Sequence, residues 1–457
     1  MRKALLIASA YPPRQATGAI RPAMMAKWLP KFGWDTAVVC GHWTQETSAQ
    51  YFDSGILPEA QARVVATVDP AGRDPILHVL RDLRVFAAGL VRMEGACWRA
   101  LPASLVRAPL CIFKGLMVRI PAVVRAEMTP YEFTRRLLTV LPTVIERERP
   151  DVIWATSGPP GTHLAASVMS RRFSIPWVAD FRDIPDQPNY WDSKDPGLRH
   201  YWGMLRQHRV VKRATAVVTV SPALAQRLSS RLNRPVHMIP NGFDPEEHNQ
   251  VGAIPAGPSD KLTITYTGQV YPRYRDPKPL FAAIDRLARG GEIDLRELAV
   301  NFWCNTPASL KQLSSGFECG RCVSVSQFIP RKEALAIQHG SDVLLMLAHG
   351  TERGVYTSKL LEYLGARRPI LCIPGDGDCV DALLRETGAG VSCSSVDEIC
   401  SVLLRWYQEW KATGAVRYEG RDEAVMRYTR EAQAKALAEI LDSVVALREQ
   451  PSTADAL

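Results

Sequence analysis

One pattern constrains this chain more than any other: short β-branched runs alternate with longer helical stretches, and the alternation stops and restarts once. In the first half, Lys3–Ser9, Thr36–Cys40, Asp151–Ala155, Trp177–Asp180, Ala216–Val220 and Val236–Ile239 read as strands. Helical spacing fills the gaps at Ile20–Phe32, Thr162–Arg172, Arg199–Lys212 and Pro222–Arg231. Strands separated by helices pair in parallel and wind into an open sheet covered on both faces. Pro240-Asn-Gly-Phe-Asp244 and a Gly/Pro-rich run to Asp260 then break the rhythm. It resumes with strands at Leu262–Tyr266, Ala299–Trp303, Val323–Val325, Val343–Leu347 and Ile370–Ile373. Helices are expected between them around Leu280–Ala288, Lys332–His339, Ser358–Gly365 and Asp381–Glu386. The fold class is therefore α/β, with two Rossmann-like doubly wound domains, residues 1–240 and 241–426. A helical tail, residues 427–457, closes the chain.

The ends and the composition narrow the setting. With 457 residues, 46% of them hydrophobic and 23% charged, the chain has ample core and is not of disordered or coiled-coil composition. Met1-Arg2-Lys3 followed by an apolar stretch and Ala8-Ser9-Ala10 imitates a signal peptide. Tyr11-Pro12-Pro13 cuts that stretch short, and a buried first strand explains it better. The longest uncharged stretch, Val152–Ser170, contains Gly158-Pro-Pro-Gly161, which breaks a spanning helix. Ten scattered cysteines read as free thiols of a reducing compartment. Cys319-Gly-Arg-Cys322, with Cys304 upstream, lacks a fourth zinc ligand at a fitting spacing. The expected location is cytoplasmic or peripheral on a membrane, with no metal and no cofactor.

The net charge of +9 accommodates an anionic partner without choosing one. Much of it lies in residues 81–136, where ten basic residues face four acids. Trp98, Ile112, Phe113, Leu116 and Ile120 are interleaved with the charges. Helices of that composition lie in a membrane interface or pack on their own domain with Arg outward; inner-leaflet membrane contact is the expectation. Its apolar content speaks against nucleic acid, and no nucleic-acid module appears.

Open α/β sheets bind ligands beyond the carboxyl ends of their strands, so candidate residues are sought there. After the first strand comes Tyr11-Pro-Pro-Arg-Gln-Ala-Thr-Gly18-Ala-Ile-Arg21, a loop-to-helix turn able to receive phosphate through Gly18 and Arg21. It lacks the full glycine fingerprint of dinucleotide binding. His163 follows the next strand end. Asp180, Arg182 and Asp183 follow another; two carboxylates and one Arg so close together fit catalytic or acceptor-side duty. In the second half, Gly268 permits close backbone approach, and Arg273, Arg275 or Lys278 can neutralise a diphosphate. Thr357 or Ser358 would cap a helix whose amino end, through Lys359, can receive an anion. Glu362 lies one turn further, placed to accept hydrogen bonds from a ribose.

These segments, in order and spacing, resemble the GT-B-fold glycosyltransferases, specifically the retaining family-4 type that uses nucleotide-sugar donors. The resemblance is carried by Tyr11–Arg21, Pro150–Pro160, Ile175–Asp183, Val218–Pro222, Ile239–Asp244 and Thr357–Tyr363. It implies that the second domain binds the nucleotide, with Glu362 on the ribose, amides near Thr357–Lys359 on phosphate, and Arg273 and Lys278 on the leaving diphosphate. It implies that the last helix crosses back to the first domain. It implies transfer with retention and without metal to a glycan or lipid-linked acceptor, in surface polysaccharide biosynthesis, with Asp183 or Asp180 orienting or deprotonating the acceptor. One departure stands out. The family often carries a further glutamate, a donor-sugar contact, eight residues before the one matching Glu362; here that position is Gly354. Two other readings share the architecture: a nucleotide-sugar epimerase, which needs no acceptor, and a non-catalytic nucleotide-binding scaffold subunit.

Overall fold

The computed structural model describes residues 1–12, 17–41, 63–68, 133–157, 161–183, 207–252, 260–268, 270, 275–327, 329–348, 354 and 356–449. Most of the basic segment 81–136 lies outside them; only its last four residues are described, in a helix spanning 133–148. Arg273 also lies outside them, as does the expected helix Arg199–Lys212 up to residue 206.

Two parallel sheets make up the frame. The first holds β1 (Arg2–Ala8), β2 (Trp34–Gly41), β3 (Arg63–Val68), β4 (Val152–Thr156), β5 (Trp177–Phe181), β6 (Ala216–Thr219) and β7 (His237–Met238), in the order β3-β2-β1-β4-β5-β6-β7. The second holds β8 (Leu262–Thr267), β9 (Leu298–Trp303), β10 (Val323–Ser326), β11 (Val343–Leu347), β12 (Ile370–Ile373) and β13 (Gly390–Ser392), in the order β10-β9-β8-β11-β12-β13. Each sheet thus begins in its middle, grows one way, then returns and grows the other way. The reversal falls between β1 and β4 in the first sheet and between β8 and β11 in the second. At such a point two neighbouring connections leave on opposite faces, and a crevice opens at the carboxyl ends.

The central strands β1, β4, β5, β8, β11 and β12 are almost wholly buried, as sheets covered on both faces require. The strands absent from the sequence expectation are β3 and β13, one edge of each sheet. Their side chains are half exposed, so neither presents the apolar run that marks a parallel core strand. Several helices were likewise not expected, among them 133–148, Pro245–Asn249, Pro307–Ser314, Asp422–Met426, and Val396–Thr413 with buried Ile399, Leu403 and Trp406.

The last helix, Arg430–Glu449, lies against the first sheet rather than the second. Ala434, Leu437, Ala438, Leu441, Val444 and Val445 share one core with Leu6, Val38, Val152 and Trp154. The chain therefore passes between the domains twice. The two passages are bonded side by side: the Phe243 amide donates to the Tyr428 carbonyl at 3.1 Å, and the Arg430 amide donates to the Phe243 carbonyl at 2.8 Å.

Candidate functional site

At the first crevice, strands β1, β4 and β5 and the helix Thr17–Trp28 converge. The Arg21 side chain, from that helix, grips Asp180 at the end of β5. Its Nε donates to Oδ2 at 3.1 Å and Nη2 to Oδ1 at 3.0 Å, with both side chains no more than 2% exposed. Its Nη1 donates to the Pro240 carbonyl, 3.1 Å away, at the start of the interdomain passage. Arg21 is thus engaged and enclosed, not open to a phosphate. Asp180 has both oxygens engaged by a buried guanidinium and is itself only 1% exposed.

Gly18 has a different task from cradling a ligand. A Cβ at this residue would fall 2.0 Å from Nη1 of Arg182, so a larger residue would displace that guanidinium from beside the start of the helix. Arg182 Nε donates to Asp183 Oδ2 at 3.1 Å, and the Asp183 side chain is 44% exposed. Of Asp180 and Asp183, the second is the accessible one. His163, in the helix Gly161–Phe173, is fully enclosed against Phe181 and Trp177. Its Nε2 faces the carbonyls of Ala155 and Asp180 at 3.1 and 3.3 Å, which makes it the protonated nitrogen. Burial depresses its pKa to about 4 despite the pull of Asp180, so the ring is neutral near pH 7. It reaches no acceptor.

The second crevice lies between β8 and β11. The turn after β8 carries Gly268 at φ +131°, and a Cβ there would come 2.3 Å from Nζ of Lys359. The glycine makes room for that ammonium. Lys359 Nζ lies 3.6 Å from the Tyr266 ring centroid, buried, without a hydrogen-bond partner among the described residues. Burial, and then the Arg275 charge, hold it well below the usual lysine range. Beyond β11, Thr357 caps the helix Ser358–Ala366, its Oγ1 accepting from the Leu360 amide at 3.4 Å. Tyr363 pins this helix to β8, its hydroxyl accepting from the Thr267 amide at 3.1 Å. Lys278 is exposed at the head of the helix Lys278–Arg289.

Glu362 lies on the same helix as Lys359, 18% exposed, with Oε1 bonded to Nη1 of Arg331. The same guanidinium grips Glu247 on the helix Pro245–Asn249, with Nε to Oε1 at 3.1 Å and Nη2 to Oε2 at 2.9 Å. Burial opposes the Arg331 charge, and the two carboxylates more than offset it. Arg430 stands nearby, 4% exposed, bonded to Asn241 Oδ1 at 3.3 Å and Gln433 Oε1 at 3.5 Å. Burial, with repulsion from Arg21 and Arg331, pulls it down to about 9. Sequence reading missed Arg331, Glu247 and Arg430: their partners are distant in the chain, so no local motif marks them.

Gly354 sits where the second domain touches the first. Its φ is +77°, and a Cβ would lie 2.3 Å from the Ala223 Cβ on the helix Pro222–Leu232. A glutamate has no room there. A carboxylate nonetheless stands beside it, since the Gly354 amide donates to Asp378 Oδ2 from the loop after β12. The signal for Asp378 was its position: Pro374-Gly-Asp-Gly-Asp378 directly follows a strand. Asp376, Asp378 and Cys379 lie close together, but the Asp376 oxygens already accept the amides of Asp378, Val380 and Asp381 at 2.9–3.1 Å, which is loop capping. Cys319 and Cys322 share a short turn, where Cys322 Sγ donates to the Cys319 carbonyl at 3.0 Å. Burial pushes Cys322 up to about 11, the behaviour of an ordinary enclosed thiol.

Two Rossmann-like sheets, each with its crevice, and a final helix returning to the first define the GT-B architecture. Residues 18–242 match the family model described as "Glycosyl transferase 4-like domain". The first half of the chain thus carries a glycosyl transferase 4-like domain, set within a GT-B fold that spans both sheets. Among solved structures, sucrose-phosphate synthase from Thermosynechococcus elongatus is similar at a TM-score of 0.61 and 13% identity, covering 98% of this chain and 100% of that one. Anabaena HepE in complex with UDP-glucose is similar at 0.54 and 12%, over 97% of this chain and 100% of that one. A Listeria monocytogenes protein described as a UDP-N-acetylglucosamine 2-epimerase shares the fold at 0.54 and 11%, over 98% and 97%. No curated protein matches the chain by sequence. No helix among the described residues is long and apolar enough to cross a membrane.

Proposed function

We propose that this glycosyltransferase moves a sugar from a nucleoside-diphosphate donor, held at the second crevice, to a glycan or lipid-linked acceptor entering at the first. The carrying observation is the β8–β11 crevice. There a buried, unpartnered ammonium (Lys359), a capped helix amino end and a carboxylate (Glu362) lie within one helical turn of each other. A nucleotide sugar presents the complement: a diphosphate for the first two and a ribose diol for the third. HepE, of the same fold, is described with UDP-glucose.

On this reading Lys359 and the helix amides stabilise the charge that grows on the departing diphosphate. Lys278, at the head of the helix Lys278–Arg289, and Arg273 supplement them. Asp183, accessible and salt-bridged to Arg182, orients or deprotonates the acceptor hydroxyl. The sugar is transferred with retention, and the pathway is surface polysaccharide biosynthesis; both rest on the family resemblance. Asp378, which accepts the Gly354 amide, can take over the donor-sugar contact.

The test is calorimetric binding of UDP, GDP, ADP and CMP to wild type and Glu362→Ala. Tight binding of one nucleotide, weakened in the variant, is expected. Binding of none would overturn the proposal. An epimerase would convert the sugar of its nucleotide with no acceptor present; a scaffold subunit would bind the nucleotide and turn nothing over.

A further inference from the structure

Glu362 does not stand alone. One of its oxygens, Oε1, is taken by Arg331, and Oε2 has no hydrogen-bond partner among the described residues. Arg331 opens the helix Arg331–His339 directly after Pro330, and its side chain is 15% exposed. All three of its recorded bonds go to carboxylate oxygens, two on Glu247 and one on Glu362. A guanidinium is a planar fork whose directions are fixed once two prongs are seated. Glu247 seats two, so the third prong points at Glu362 from a rigid base.

That base belongs to the interdomain passage. Glu247 lies on the helix Pro245–Asn249, capped by Asp244, whose carboxylate also pairs with Lys27 of the first domain at 2.7 Å. A small cavity of about 10 Å³, room for one water, sits among Gly242, Asp244, Glu247, Arg331 and Arg430. Glu362 is therefore held through Arg331 to the segment that joins the two domains.

We infer that Arg331 is the positioning residue for the donor's ribose: it fixes Glu362 so that Oε2 meets the diol, and ties that carboxylate through Glu247 to the interdomain passage. This rests on the nucleotide-sugar reading above. Without Arg331, two carboxylates would face each other across a void. Glu362 would then lose both its orientation and its charge partner.

The experiment uses the full chain and three kinds of ligand. Calorimetry first finds which of UDP, GDP, ADP and CMP binds wild type; failure of all four sinks the nucleotide-sugar reading rather than this inference. The binder, its 2′,3′-dideoxy analogue and inorganic pyrophosphate are then measured against wild type, Arg331→Met, Arg331→Lys and Glu247→Gln. Wild type should prefer the diol form by roughly 10- to 100-fold, the range for hydrogen bonds to a charged group. In Arg331→Met that preference should collapse to about onefold while pyrophosphate binding holds. Arg331→Lys should restore part of it, and Glu247→Gln should retain most of it. Equal weakening of all three ligands in Arg331→Met would mean a merely structural role, and an undiminished preference would show that Glu362 needs no positioning; either overturns the inference. If Arg331→Met does not fold, Arg331→Lys and Glu247→Gln carry the comparison: a wild-type diol preference in both would overturn it.

Discussion

Replacing Asp180 with Asn separates the two roles an acid at that strand end could have. In the structure both Asp180 oxygens are spent on Arg21, with the two side chains no more than 2% exposed. Asn keeps the shape and removes the charge, so Arg21 stays buried without a counter-ion. Breaking a buried pair from one side costs about 3–5 kcal/mol. Arg21 retains its bond to the Pro240 carbonyl, which argues for the lower end, about 3 kcal/mol. For a domain of this size each kcal/mol shifts the midpoint by roughly 2–4 °C, so the first domain should melt about 6–12 °C lower. Two domains need not unfold together, so calorimetric scanning, which separates their transitions, is the assay. Removing both charges, as Arg21→Met with Asp180→Leu, should recover most of the loss, because no unpaired ion remains. If Asp180→Asn abolished transfer while leaving the melting profile in place, the carboxylate would be a catalytic base and the structural argument would fall.

Four further outcomes follow from other parts of the molecule. Gly268→Ala should weaken nucleotide binding at least tenfold, since its φ is +131° and the new methyl displaces the Lys359 ammonium; unchanged affinity would place the anion elsewhere. His163 is held to about 4 when folded and titrates near 6.5 when unfolded, so the unfolded chain binds the extra proton. Its contribution is whole above pH 6.5 and is lost as pH falls toward 4, by up to about 3 kcal/mol. Urea midpoints for His163→Gln should show a flatter acid limb than wild type. Transfer activity should survive EDTA in full, whereas its loss and restoration by Mn²⁺ would defeat the metal-independent mechanism. Finally, the basic apolar segment 81–136 should carry the protein down with anionic vesicles at low salt and release it at high salt. No sedimentation at low salt would sink the membrane reading.

The architecture was legible because its signals are local. Apolar runs such as Leu5–Ala8 and Val343–Leu347 are buried on both sides and can be little else than central parallel strands. Edge strand Arg63–Val68 alternates too weakly to announce itself, since its neighbours cover only part of it. The helix Val396–Thr413 did carry its own start signal, Ser395 capping the amide of Glu398. The site was legible only in outline. Strand ends pointed to Gly18, Asp180, Gly268 and Glu362, but what each side chain touches depends on partners far along the chain. Arg21 meets Asp180 across 159 residues and Arg331 meets Glu247 across 84. A glycine that looks like a ligand cradle in sequence becomes, at both Gly18 and Gly268, the notch that admits a cation from another element.

The returning helix has a consequence for how the protein is made. The face of the first sheet bearing Leu6, Val38 and Trp154 is closed by Leu437, Leu441 and Val444, which leave the ribosome about 200 residues after the last strand of that sheet. At roughly 5–20 residues per second that is an interval of about 10–40 s. During it the second domain can be complete while the first still shows an unfinished apolar side to the cell. The domain synthesised first is therefore the one finished last, and the one most in need of a chaperone while it waits.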